Sequence, residues 1–376
     1  TQHCHLSCYW QVIGILLKIS VVILSLGVAI SQLLISIGVS IRSFPMMLAC
    51  RALFGICSES LITAQISLVS FWFKGKELAT ALGLIITLPE LGGALNSFLT
   101  PIIYENTGSL SAGFYVGTAF CIFSFLCGCV LYWIEWRAEK EQKGFVGHVE
   151  VKTIKCEDMK QFNMKVWIII AIGSLAAALY VPFMDNANRF YQKRFCYTQV
   201  DAGNAVMWIY LSAIITSIPL GLMIDKLGGR VYFFIGTMVA FLIAHLIYLF
   251  LPNCISDQIK GALSGSFFLG LGYSMYSNCV VPLFPLMVKS SIMGTAIGLL
   301  ATFENIAESI VPELSSLIVH SQESEQTGYR LSELFYCGLA VIGVLVAMLM
   351  FCYRKTCHRL NQVVCEELGD AYSSEA

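Results

Sequence analysis

Residues 51–84, which read RALFGICSESLITAQISLVSFWFKGKELATALGL, decide the fold. An apolar run over residues 53–73 is followed by a polar turn at 74–77 and at once by a second apolar run. At 1.5 Å per residue, about twenty apolar residues cross a bilayer core of roughly 30 Å. Arg51 and Glu59 lie inside or at the edge of the first run, where a charge is costly unless it faces a polar interior. The stretch therefore predicts a membrane protein that handles a polar solute.

Composition favours the same class. Hydrophobic residues make up 57% of the chain and charged residues 12%, whereas a soluble domain carries roughly twice that charged fraction. The net charge of −1 gives no indication of a nucleic-acid partner. The 15 cysteines are scattered through apolar runs, where a free cysteine behaves as a small hydrophobic residue. No complete set of zinc-ligand spacings and no catalytic motif occurs, so we expect no metal, no cofactor and no enzyme activity.

The apolar runs predict ten transmembrane helices separated by short polar segments. Residues 135–165, rich in Lys and Glu, are the only long polar segment and predict a solvated connector between two blocks. The predicted helices cover residues 18–41, 45–72, 78–103, 112–134, 166–184, 200–222, 231–251, 260–287, 292–318 and 333–353.

The distribution of Lys and Arg predicts the orientation. Alternate loops on one side hold fifteen basic residues, and those on the other side hold six. Because cytosolic loops carry the excess of basic residues, we expect the connector and the tail at 354–376 to be cytosolic.

An internal repeat indicates the architecture. A shift of 215 residues superimposes Gly55 on Gly270, Lys74 on Lys289 and the pattern Thr-Ala-x-Gly-Leu at 80–84 on the same pattern at 295–299. Two parallel halves of this kind are typical of the major facilitator architecture, with six helices in each half. The first half lacks counterparts of two helices, so we expect a chain without helices one and two.

This interpretation divides the chain into five parts. We expect residues 1–17 to be unrelated sequence and residues 18–134 to form helices three to six. The connector at 135–165 follows, then residues 166–353 as helices seven to twelve, and then the tail.

Residues 221–230, GLMIDKLGGR, predict a tight turn between two helices. Gly228 and Gly229 permit the positive φ of such a turn, and Asp225 and Arg230 can pair with helix ends or with a neighbouring helix. The segment resembles the loop signature of the major facilitator superfamily. It predicts a latch that breaks as the two halves rock; the alternative is a turn that is merely positively charged.

Arg51 and Glu59 are the first candidates for substrate binding. The 215-residue shift places them on Ser266 and Ser274, which are uncharged. Residues required by the architecture should recur in both halves, so their absence from the second half favours a functional role. The alternative for Arg51 is that its side chain extends to the membrane interface.

Three carboxylates lie in the middle of predicted spans. Glu304 and Glu308 share one helix face, and Glu90 lies in the other half. They predict binding of a cation or of the amino group of a zwitterion, or proton coupling; the alternative is that they are protonated or paired. We interpret His245 as structural. Weaker candidates are Tyr180, Asn186 and Arg189.

Residues 51–84 also resemble a particular family. Close matches are Arg51, Gly55, Glu59, Ser60, Ala64, Gln65 and residues 71–78, FWFKGKEL. The segment is similar to the helix-four-to-five region of the major facilitator superfamily domain-containing protein 1 family, and residues 158–162 and 293–298 also look similar. The resemblance implies a lysosomal dipeptide uniporter that works by rocker-switch alternating access. It further implies a glycosylated single-span partner that shields the sugar-free carrier, and no Asn-x-Ser/Thr site occurs in this chain.

One departure from the family keeps alternatives open. Residues 88–91 read LPEL, with Glu90 where a basic residue is expected in animal relatives. A carrier of another small organic solute, such as a carboxylate or an amine, is one alternative. The other is a truncated, non-transporting isoform that only binds the partner glycoprotein.

Overall fold

Helices account for nearly all of the described chain. The computed structural model describes residues 2–72, 76–141, 162–227, 229–254, 259–287 and 293–352, and these ranges contain no strand, which confirms the all-α class. Seven helices among these residues are long and apolar enough to cross a membrane. The helices are α1 (Gln2–Ser40), α2 (Phe44–Trp72), α3 (Lys76–Thr107), α4 (Leu110–Glu141), α5 (Met164–Phe195), α6 (Gln199–Leu227), α7 (Arg230–Phe250), α8 (Ile259–Met287), α9 (Met293–His320) and α10 (Glu325–Met348). The 3-10 turn Leu349–Cys352 follows α10.

Three helices extend well beyond the spans that hydropathy predicts. The predicted span 18–41 corresponds to α1, which already begins at Gln2. The predicted span 166–184 corresponds to α5, which continues to Phe195, and the predicted span 333–353 corresponds to α10, which begins at Glu325. A helix of 32 residues such as α5 is about 48 Å long, so part of it lies outside a hydrocarbon core of roughly 30 Å. Hydropathy detects only the lipid-facing length, whereas backbone hydrogen bonding continues through polar residues.

The chain divides into two compact units. Unit 1 comprises Thr1–Leu88 and Leu99–Val151, and unit 2 comprises Pro89–Phe98 and Lys152–Ala376. The middle of α3 thus belongs to unit 2 together with α5 to α10. The five-part division of the sequence given above stays a prediction.

Unit 1 is held by contacts between small and polar side chains. The helix α1 packs against α2 and α4. Ser36 of α1 and Thr118 of α4 share a buried hydrogen bond of 2.8 Å. A Cβ on Gly27 would lie 2.7 Å from the Cys57 sulfur, so α1 and α2 approach closely at this glycine. Small residues that let backbones approach are typical of helix pairs in membranes.

Unit 2 has a large core of buried side chains. The helix α8 packs against α6 and α7, while α5 packs against α9 and α10. A Cβ on Gly270 would lie 2.0 Å from the Ser212 Oγ and 2.4 Å from the Ile209 carbonyl oxygen, so α6 and α8 meet backbone to backbone. The Tyr191 hydroxyl lies 2.6 Å from the Tyr248 hydroxyl and joins α5 to α7.

A buried hydrogen bond between a histidine and a glutamate connects α7 to α10. The His245 Nδ1 lies 2.8 Å from a Glu333 carboxylate oxygen, and the two side chains are 0% and 1% exposed. Tyr336 stacks on the imidazole with ring centroids 4.9 Å apart. This environment supports the structural interpretation of His245, because the pair is sealed on every side by protein.

Candidate substrate site

Glu90 is held in unit 2 by tyrosine hydroxyl groups. It lies in the part of α3 that belongs to unit 2, and its carboxylate accepts a hydrogen bond of 3.4 Å from the Tyr180 hydroxyl of α5. Tyr273 of α8 is its second hydrogen-bonding partner. The rings of Tyr180 and Tyr273 stack with centroids 4.2 Å apart. Three helices therefore fix the position of one carboxylate.

Glu304 has a similar environment on α9. Its carboxylate accepts a hydrogen bond from the Tyr276 hydroxyl of α8. Tyr276 lies one helical turn after Tyr273, and the centroids of the two rings are 6.1 Å apart. Tyr273 also lies within electrostatic range of both Glu90 and Glu304. We call Glu90, Tyr180, Tyr273, Tyr276 and Glu304 the tyrosine–carboxylate cluster.

Within the part of the chain that the structure describes, the carboxyl groups of the cluster have no basic partner. Among the described residues, neither Glu90 nor Glu304 forms an ion pair, and both side chains are half-buried in apolar helices. An ionised carboxylate in such surroundings is costly unless a positive charge or several hydrogen bonds compensate it. The arrangement can therefore take up a cation or protons. Glu308, one turn beyond Glu304, is also half-buried.

A close contact between α3 and α6 lies next to this cluster in sequence. A Cβ on Gly93 would lie 2.6 Å from the ring of Tyr210. Glycine at this position lets the ring pack directly against the α3 backbone, three residues from Glu90. No group of three or more His, Cys, Asp or Glu side chains in the described part of the chain is arranged to hold a metal ion.

Arg51 and Glu59 lie in unit 1 rather than in the cluster. Both are exposed side chains of α2, eight residues or about 12 Å apart along the helix. The guanidinium of Arg51 lies 5.3 Å from the centroid of the Phe54 ring, which is a favourable cation–π distance. Their role in substrate binding stays a prediction.

The predicted latch is described in part. Gly229 has φ of +67° and precedes α7, so this glycine does adopt the left-handed conformation that its turn requires. Arg230 is the first residue of α7 and is 5% exposed. The side chain of Asp225 and the whole of Gly228 lie outside the described residues.

Sequence reasoning missed most of the tyrosines. Tyr273 and Tyr276 are spaced i, i+3 in an apolar span, and that spacing is a signal for one helix face. Tyr180 lies near the end of the predicted span 166–184, whereas α5 continues to Phe195 and has Tyr180 near its middle. The other weak candidates lie elsewhere: Asn186 donates to the Pro182 carbonyl, and Arg189 pairs with Glu325. Glu333 was overlooked because the predicted span began at that residue.

A family profile matches most of the chain. The profile described as Major Facilitator Superfamily matches residues 12–312 and, in a second match, residues 166–362.

Similar sequences and structures agree with that match. The lysosomal dipeptide transporter MFSD1 of Gallus gallus is 27% identical over 353 residues, covering 90% of this chain and 76% of the chicken protein. The protein of the same name from Homo sapiens is 27% identical over 342 residues, covering 88% of this chain and 70% of its own. A crystal structure of a bacterial homologue of the human lysosomal transporter Spinster, inward-facing and occupied, has a TM-score of 0.66 at 13% identity, covering 89% of this chain and 84% of that one.

Proposed function

Because the chain belongs to the Major Facilitator Superfamily, we propose that it is a multi-pass membrane carrier that exports dipeptides from lysosomes. The similar chicken and human proteins carry the name of lysosomal dipeptide transporter. The observation that carries the proposal is the tyrosine–carboxylate cluster. Transport is passive and proceeds by alternating access, as the resemblance of residues 51–84 implies.

The cluster receives the positive end of the dipeptide. The free ammonium supplies the cation that Glu90 and Glu304 lack among the described residues. The tyrosine hydroxyl groups orient the carboxylate oxygens, and the faces of the stacked rings add cation–π attraction. Charge-assisted hydrogen bonds of this kind are roughly twice as strong as neutral ones. Glu308 adds negative charge on the same helix.

Arg51 receives the carboxylate end. A guanidinium presents two parallel N–H donors and suits a planar carboxylate, and the exposed guanidinium of Arg51 is available to a solute. The Phe54 ring holds the guanidinium through the cation–π contact. Glu59, two turns further along α2, provides an additional acidic contact for the dipeptide.

The turn at residues 225–230 controls the balance between conformations. Arg230 is buried at the start of α7, and Asp225 precedes it by five residues at the end of α6. If Asp225 stabilises one closed state, Asp225→Asn shifts the equilibrium, and a few kcal/mol of differential stabilisation is enough. Cysteine accessibility from the two sides of the membrane reports the shift, and unchanged labelling on both sides contradicts the latch.

The accessory subunit is a glycosylated single-span lysosomal membrane protein. The absence of Asn-x-Ser/Thr sites from this chain supports the need for such a shield. Membrane lipids cover the exposed apolar side chains of the helices. Co-purification from lysosomal membranes, followed by loss of the carrier when the glycoprotein is depleted, is the expected result.

A carrier of small organic cations is the second candidate. Glu90 favours it, because a carboxylate stands where the resemblance leads us to expect a basic residue. Such a carrier would bind the positive charge in the same cluster but would have no requirement for the carboxylate end.

Uptake into proteoliposomes tests both functions. We expect the labelled dipeptide to be transported and its N-acetylated form to be rejected, since acetylation removes the ammonium. The C-amidated form separates the candidates: a dipeptide carrier loses it, and a cation carrier retains it. Saturable uptake of none of these by folded protein contradicts both and favours a protein that only binds its partner.

Substitutions locate the two ends of the cargo. Glu304→Gln should weaken discrimination between the free and the N-acetylated dipeptide. Glu313→Gln is the matched control, because Glu313 is an exposed carboxylate on the same helix. Unchanged discrimination between the two forms in Glu304→Gln, or an equal effect of Glu313→Gln, contradicts the assignment.

A further inference from the structure

A disulfide bond joins the segments that follow α5 and α7. Cys196 and Cys254 are bonded with their Cα atoms 5.0 Å apart and with 58 residues between them in sequence. Seven other cysteines within the described residues are free thiols. This pair is therefore an exception to the interpretation of the cysteines as small hydrophobic residues.

The backbone conformation at both cysteines is unusual for a residue other than glycine. Cys196 has φ of +57° and Cys254 has φ of +52°, in the left-handed region where non-glycine residues are disfavoured. Cys196 caps the carboxyl end of α5, a position that glycine usually occupies. Cysteine in place of glycine at both positions is explained by the bond between them.

The same end of unit 2 is clamped by polar contacts from three helices. The Arg194 guanidinium is fully buried and donates to the carbonyl oxygens of Tyr248 at 2.8 Å and Leu251 at 3.1 Å. These carbonyls end α7, where a cation also complements the helix dipole. Lys193 pairs with Glu325, the first residue of α10, at 2.9 Å. The ends of α5 and α7 and the beginning of α10 therefore meet at one face of the unit.

We propose that Cys196–Cys254 is a stable disulfide on the luminal side of the membrane, where it locks the end of α5 to the end of α7. Disulfides persist in oxidising compartments, whereas the cytosol keeps thiols reduced. The helix α10 has 24 residues, about 36 Å, which is enough to cross the bilayer from the disulfide face. The luminal position of the disulfide follows without the distribution of Lys and Arg, and only the identity of the membrane rests on the proposed function.

The bond forms by thiol–disulfide exchange with a luminal protein disulfide. One cysteine thiolate attacks a sulfur of the oxidant and gives a mixed disulfide; the second thiolate then displaces the oxidant's sulfur. The two cysteines lose two protons and two electrons, and the oxidant leaves as a dithiol. A luminal dithiol reverses the same steps and releases the clamp between α5 and α7.

Counting reactive thiols tests the bond itself. The protein is denatured without reductant and labelled with a polyethylene glycol maleimide. We expect Cys196→Ser to gain one labelled thiol relative to the unsubstituted protein, because Cys254 is released. Cys254→Ser should behave identically, whereas the control Cys127→Ser, at an exposed free cysteine of α4, should lose one. A loss of one thiol in Cys196→Ser overturns the proposal.

Mass spectrometry keeps the test independent of the variants. Digestion of the alkylated, unreduced protein should yield a cross-linked peptide pair that contains Cys196 and Cys254, two hydrogens lighter than the sum of the free peptides. Recovery of both peptides in alkylated form overturns the proposal even if neither serine variant folds.

Sealed lysosomes test the orientation. A membrane-impermeant maleimide should modify the released Cys254 of Cys196→Ser only after detergent is added. The control Lys226→Cys, at the opposite end of α6, should react from outside without detergent, and external protease should remove a C-terminal tag. Labelling of Cys254 in sealed lysosomes, or a protected tag, overturns the assignment. Neither measurement involves cargo, so its failure is distinct from failure of the transport proposal.

Discussion

Unit 2 contains two kinds of membrane-embedded carboxylate. Glu333 is 1% exposed and lies 2.8 Å from the imidazole of His245, so its carboxyl group has a hydrogen-bonding partner within the fold. Glu90 and Glu304 are half-buried, accept hydrogen bonds only from tyrosine hydroxyl groups, and have no basic partner among the described residues. The Glu333 carboxylate therefore has its partner without cargo. Glu90 and Glu304 still lack a positively charged partner among the described residues.

The difference teaches that burial alone does not identify a binding residue in a membrane. Polar residues inside a bilayer are conventionally functional candidates. Among the described residues, the most deeply buried carboxylate connects two helices, and the incompletely compensated ones are the candidates for binding. We therefore expect substitution of Glu333 to destabilise the protein and substitution of Glu304 to impair recognition of the cargo.

The largest effect should follow from breaking the buried pair. Glu333→Gln leaves the imidazole of His245 without its carboxylate, and removal of one partner of a buried pair costs about 3–5 kcal/mol. We expect a strongly lowered thermal midpoint and little folded carrier. Fluorescence-detected size-exclusion chromatography after heating measures this. The control Glu323→Gln, at an exposed position of the turn before α10, should be neutral; a Glu333→Gln protein as stable as that control contradicts the pairing.

Glu304→Gln should impair cargo binding and leave the stability of the protein unchanged. The amide keeps the size of the side chain but removes the charge, and a charged hydrogen bond contributes about 1.5–3 kcal/mol. We expect dipeptide affinity to fall about 10- to 100-fold while the thermal midpoint is retained. Initial uptake rates over a range of dipeptide concentrations measure the change. A loss of stability comparable to that of Glu333→Gln would place Glu304 in the structural class instead.

Arg51→Lys should have a smaller effect on the opposite end of the cargo. Lysine retains the positive charge but cannot form two parallel hydrogen bonds to a carboxylate, and one such bond contributes about 1 kcal/mol or more. We expect uptake of the dipeptide to fall about fivefold or more, toward the low uptake of the C-amidated form, which lacks the carboxylate that Arg51 binds. Normal transport of the dipeptide by Arg51→Lys removes Arg51 from the site.

Tyr276→Phe should have the smallest effect. It removes one hydrogen bond to Glu304 and retains the ring, so the affinity loss should be about fivefold, or about 1 kcal/mol. Tyr104→Phe is the control, because Tyr104 is exposed on α3 and outside the cluster. If Tyr276→Phe matches this control in uptake, the hydroxyl does not orient Glu304 and the cluster is less organised than proposed.

The sequence predicted the helices and the carboxylates but not their partners. Hydropathy and length were sufficient for ten helices, and charge in an apolar span was sufficient to select Glu90 and Glu304. The tyrosines of the cluster come from α5 and α8, and periodicity within one helix does not specify which side chains meet across helices. The bond between Cys196 and Cys254 was missed for the same reason, since 58 residues separate them.

The contacts of Arg194 impose an order on biosynthesis. Its fully buried guanidinium depends on carbonyl oxygens as far as Leu251, which is 57 residues later in the chain. A ribosome that adds about 5–20 residues per second needs roughly 3–11 seconds to synthesise that length. During this interval α5 has entered the membrane region with an uncompensated cation at its end. The segment from α5 to α7 must therefore fold as one unit. The hydrogen bonds at the end of α5 form only after α7 has been synthesised.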